Sequence, residues 1–149
     1  MNPARRYRQL SAQGTSPLGI VMQAYDQIVS ALAGAVRAIE ARDIERKTNE
    51  LNHALTLISH LQAGLDFEAG GEVARAVDRF YAVERGQIME ASARLSTDML
   101  QQVMADFVSQ REAWEQVERA KSAPRRVSNS FSSDPSVANT AKPSAHWSA

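Results

Sequence analysis

The residues best suited to chemistry in this sequence are Glu50 and His53, in the run Glu50-Leu51-Asn52-His53. A Glu-x-x-His spacing puts a carboxylate and an imidazole one helical turn apart, as carboxylate-bridged metal bundles require. Such a centre takes two of these motifs and two further inward glutamates. The sequence holds one copy. On a helical wheel His53 and His60 also fall opposite Leu51 and Ile58, which points both imidazoles to solvent. No metal and no other cofactor is expected. His53, His60 and His146 give no catalytic pair, and no Ser/His/Asp set stands out. No catalytic residue is assigned, and the chain reads as a non-enzyme. Gly70-Gly71 lacks the spacing of a phosphate loop and follows no strand, so it reads as a turn. Asp66, Glu68 and Glu72 gather there, where acidic charge suits a helix N-terminus without any catalytic role.

Two charges break the apolar pattern. Glu84 falls in the core stripe of one helix and Arg111 in that of the next. A fold-back at Ser96 brings the two within about a turn of each other, which predicts either a partly buried ion pair or two long side chains that snorkel outward separately. Stranding one member of such a pair costs ~3–5 kcal/mol when burial is deep.

The elements that position these residues are helices. Ser16-Pro17 reads as an N-cap followed by proline at the first helical position. Asp43 caps a second helix, and Ser96 caps a last one with Thr97 and Asp98 in its first turn. The punctuation predicts four long helices over 17–41, 44–64, 72–95 and 97–120, after a short N-terminal helix around Tyr7 and Leu10. Short connections make neighbouring helices antiparallel. The fold class is all-α, an antiparallel bundle.

In the first long helix, Val21, Tyr25, Ile28, Leu32, Val36 and Ile39 form one stripe, with Ile20, Ala24, Ala31, Ala35 and Ala38 beside it. Met22 and Val29 flank the other side. The arc spans roughly 200°, against the ~100° of an ordinary surface helix. Either the helix sits at the bundle centre, or its alanine-lined stripe is a shallow groove that receives a partner helix. The second helix offers Ile44, Leu51, Ala54, Leu55, Ile58 and Leu65 to the core. The third offers Val73, Val77, Phe80, Tyr81, Ile88, Ala91 and Leu95, and the fourth Leu100, Val103, Met104, Phe107 and Trp114.

Composition fits one folded domain plus a tail. Of 149 residues, 44% are hydrophobic and 23% charged, the proportions of a soluble domain. No run approaches the ~18 apolar residues of a membrane span. The basic start Met1-Asn2-Pro3-Ala4-Arg5-Arg6 leads into no apolar h-region. No cysteine is present, which excludes disulfides and thiolate metal sites. The expected location is the cytosol, with no membrane insertion. A net charge of zero divides unevenly: residues 1–120 carry 13 Lys+Arg against 16 Asp+Glu, and residues 121–149 carry 4 against 1. That balance points to no nucleic-acid partner. The expected organisation is an N-terminal segment (1–15), a bundle (16–120) and a disordered basic tail (121–149), rich in Ser, Pro, Asn and Ala. Phe131 and Trp147 are isolated aromatics in that tail.

The ordered landmarks are Tyr7; Ser16-Pro17, then Tyr25-Asp26 after seven residues; and Ala38-Ile39-Glu40 with Asp43. Ala54, Ile58 and Leu61 follow, then the run from Leu65-Asp66-Phe67-Glu68 through Gly70-Gly71 to Ala74. Phe80-Tyr81, Glu90-Ala91, Val103 and Arg111-Glu112-Ala113-Trp114 close the set. In order and spacing, from about Tyr7 to Trp114, the chain resembles the FliS family of flagellin export chaperones.

The resemblance implies four long helices with a short N-terminal helix. It implies binding of the C-terminal segment of flagellin before export, protection of that segment from premature polymerisation, and delivery to the flagellar type III export gate. A disordered client that folds on binding wraps a large surface yet stays releasable. The contacts it implies are Tyr7, Leu10, Ile20, Ala24, Tyr25, Asp26, Ala54 and Ile58. The N-terminal segment, through Tyr7 and Leu10, is a candidate cover for the empty groove. The expected state is a monomer or weak homodimer. The alternative is a helical adaptor that binds another flagellar or regulatory protein through the same groove. The chain departs from the family pattern at Leu10 and Val83, where tyrosine is usual, and at Ala24, where a large apolar residue is usual. Ser92 and Ser96 replace Asn and Asp. Ser96 keeps the cap chemistry, and the missing tyrosines and small Ala24 imply a reshaped client surface rather than a changed fold.

Overall fold

The computed structural model describes residues 16–122. The expected N-terminal helix, Tyr7, Leu10, and the tail beyond Ser122 lie outside the described residues. Within them the chain forms four helices: α1 (Pro17–Glu40), α2 (Ile44–Ala63), α3 (Phe67–Arg94) and α4 (Thr97–Ser122). No strand occurs among the described residues. None of the four is both long and apolar enough to cross a membrane.

Each helix starts where a side-chain oxygen can satisfy an orphan amide. The Ser16 hydroxyl accepts from Gly19 N at 2.9 Å, with Pro17 opening the first turn. Asp43 accepts from Arg46 N at 3.1 Å and Ser96 from Met99 N at 3.1 Å. Asp66 accepts from Ala69 N at 3.0 Å. That fourth cap corrects one boundary: α3 begins at Phe67 rather than residue 72. The carboxylate of Asp66 nucleates a turn before the glycines, and the chain kinks at Gly71 (φ 51°, ψ −125°) before resuming. Glycine alone takes that backbone without strain. The helices end tightly, with Arg42 (φ 60°) and Leu95 (φ 53°) in the left-handed region.

Connections of two or three residues fold each helix back on its predecessor, and cross-helix contacts show the direction. Ser16 meets Glu118, and Asp26 meets Arg111, so α1 and α4 run antiparallel. Gln62 meets Asp78 while Lys47 meets Ser92, so α2 and α3 do too. α1 packs closely against both α2 and α4, whereas α3 touches its two neighbours more sparsely.

The closeness of α1 and α2 has a sequence cause. At Gly34 the Glu50 side chain of α2 occupies the space that a Cβ would take. Ala31 and Ala35 join the core cluster with Tyr25, Ile28, Leu32, Leu51, Ala54 and Ile58. Ala38 is buried as well. The wide apolar arc of α1 is therefore that of a helix at the bundle centre. Two expected core residues are on the surface instead: Ile44 is 51% exposed and Leu95 46%. Both sit at helix ends, where the bundle provides no neighbour to cover them.

Candidate partner-binding site

Tyr25 is the junction of the site. Its ring is fully buried and meets Phe107 edge-on, with centroids 5.2 Å apart. Its hydroxyl lies 2.8 Å from that of Tyr81 on α3 and accepts from Trp114 Nε1 on α4 at 3.1 Å. One side chain thus ties three helices together through an apolar ring and a satisfied polar tip. The wheel placed Tyr25, Tyr81 and Trp114 on inward stripes. It carried no information on which tips would meet, because that depends on the register between helices.

One residue on, Asp26 is exposed and grips Arg111 from α4 with both oxygens, at 2.7 and 3.2 Å. Glu115 holds the same guanidinium at 3.1 Å. The hydrogen bond that Arg111 donates to Asp26 leads the effects that raise its already high pKa further. The expected Glu84–Arg111 pair is therefore corrected. Arg111 faces α1 rather than α3, and its partners are Asp26 and Glu115. Glu84 is buried at 3% exposure, with Oε1 unpartnered, and meets Asp106 instead. The one-turn register estimate found the right level of the bundle but the wrong side of α4.

The structure places the other expected contacts as follows. Ile20 is 5% exposed and Ala24 half-buried, one turn apart on α1. Ala54 and Ile58 are fully buried in the core with Tyr25. Ala24 packs against that core. Asp26 alone of the described six is fully on the surface. His53 and His60 are exposed on α2.

One surface feature escaped the sequence reading. Between α2 and α3 lies a cleft of about 200 Å³, lined by Thr48, Leu51, Asn52, Leu55, Ile88, Met89 and Ser92. Met89 beside it is 59% exposed. Its position off the α3 stripe was the available signal. Val83, at a position where the resemblance leads one to expect tyrosine, is 55% exposed. A valine there presents apolar surface without a hydroxyl.

An antiparallel four-helix bundle with an open cleft between α2 and α3 is, as a class, an all-α helical scaffold. The family described as Flagellar protein FliS matches residues 1–121, a span that includes all but the last residue of the described bundle. The chain belongs to the FliS family. It is 29% identical over 118 residues to the flagellar secretion chaperone FliS of Salmonella typhimurium, covering 76% of this chain and 87% of that one. It is 27% identical over 119 residues to the flagellar secretion chaperone FliSB of Pseudomonas aeruginosa, covering 77% and 94%. Against the flagellar secretion chaperone FliS of Vibrio cholerae the identity is 30% over 109 residues, covering 73% and 79%. The family is one of chaperones.

Proposed function

We propose that this chain is a cytosolic export chaperone. It binds the C-terminal segment of flagellin, keeps the subunit from polymerising early, and hands it to the flagellar type III export gate. The observation that carries this reading is the family match across essentially the whole bundle, joined to relatives named flagellar secretion chaperones. The proposed contacts are Tyr7, Leu10, Ile20, Ala24, Tyr25, Asp26, Ala54 and Ile58. Asp26 and Ala24 present surface in the described state. Ile20, Tyr25, Ala54 and Ile58 are buried and touch a client only when the groups covering them move.

The test is a seeded polymerisation assay with monomeric flagellin. An equimolar amount of the chain is expected to suppress filament growth, and flagellin lacking its C-terminal segment is expected not to bind. Unchanged filament growth, with the chain and flagellin eluting separately, would contradict the proposal.

A further inference from the structure

The two charged side chains buried in the described bundle, Lys47 and Glu84, both lie at seams of α3. This is also the helix that packs most sparsely against its neighbours. Glu84 occupies the α3 core stripe one turn beyond Tyr81 and is 3% exposed. Its Oε1 has no hydrogen-bond partner. Across the seam it meets the carboxyl of Asp106 on α4. A buried carboxylate with no donor is costly, and two carboxyl groups in contact cannot both be ionised. One proton must stay between them.

The surrounding groups leave that proton in place. Asp106 is half-buried and accepts from Gln102 Nε2 at 3.0 Å. Lys47 of α2 directs its Nζ to Ser92 O at 3.5 Å, two turns along α3. Arg85, next to Glu84, donates to Gln62 Oε1 on α2. The Tyr25 hydroxyl of α1 is bonded to that of Tyr81, one turn before Glu84 on α3. Burial first, then the hydrogen bond and charge of Asp106, push the Glu84 carboxyl up to about 8.

We propose that Glu84 and Asp106 form a proton-dependent latch: with one proton shared between them α3 is held on α4, and loss of that proton to water frees α3 from the seam. At acid pH, below the ordinary carboxylate range, closed and opened forms both hold the proton, and the latch is fully made. Between that range and about 8, only the closed form holds it, so closure weakens as pH rises. Above about 8 both forms are ionised, and the dependence ends.

The test uses the full chain. Amide hydrogen exchange, corrected for the intrinsic rate, is followed between pH 6 and pH 8. The opened population of α3 is expected to rise by about tenfold per pH unit in the wild type. Glu84→Gln keeps a donor for Asp106 but cannot titrate, and its α3 exchange is expected to be flat over the same window. Carboxyl-carbon NMR of the wild type is expected to show Glu84 titrating near pH 8. A Glu84 midpoint in the ordinary carboxylate range overturns the latch, and this reading stands even if the variant does not fold. So does an unchanged pH dependence in Glu84→Gln, or equal loss of protection in α1 and α3.

Discussion

Tyr25 and Asp26 are neighbours with opposite duties. The first faces the core and joins α1 to α3 and α4 through one hydroxyl. The second faces solvent and joins α1 to α4 through a two-point ion pair. Energetically they are unequal. Exposed ion pairs are screened and contribute little to stability, whereas buried hydrogen bonds are expensive to lose. Tyr25→Phe keeps the ring against Phe107 but removes the oxygen that Tyr81 and Trp114 share. Urea denaturation is expected to show a loss of about 1–3 kcal/mol, with helix content unchanged. The residue types and their faces were legible in sequence, since hydrophobic spacing fixes which side of a helix points inward. The partners were not. Arg111 fell on the α1 side rather than the α3 side because a wheel describes one helix, and register between helices comes from packing.

At the scale of elements, the helix starts were the most readable part. Ser16, Asp43 and Ser96 each cap as their chemistry requires, because N-capping is a local interaction over three residues. The start of α3 was misplaced because glycine was read as ending structure, when Asp66 builds a turn before it and Gly71 only kinks the chain. The turns suggest a pair of substitutions with opposite signs. Gly71→Ala forces a Cβ into a positive-φ position and is expected to lower stability by about 1 kcal/mol or more. Arg42→Gly relieves a non-glycine residue at φ 60° on an exposed turn. It is expected to raise stability by up to about 1 kcal/mol. Thermal melts of both variants beside the wild type check the signs.

At the scale of the whole molecule, architecture and family were legible together. Four amphipathic stretches with short links permit few arrangements other than an antiparallel bundle. The ordered landmarks from Tyr7 to Trp114 carried the family, and the match over residues 1–121 shows it. The binding surface was less legible. The alanine stripe that looked like a groove is covered inside the bundle, while an open cleft lies between α2 and α3, where Met89 stands off the core stripe. A wide apolar arc signals that a helix is surrounded. It does not say whether its own bundle or a partner surrounds it.

The proposed client of this bundle is the C-terminal segment of flagellin. Titrating the full chain with a peptide of that segment, followed by far-ultraviolet circular dichroism, measures the binding directly. Saturable binding at micromolar concentrations is expected, with more helix in the complex than in the two components summed. A spectrum equal to that sum at every ratio, with no binding in a parallel calorimetric titration, would contradict it.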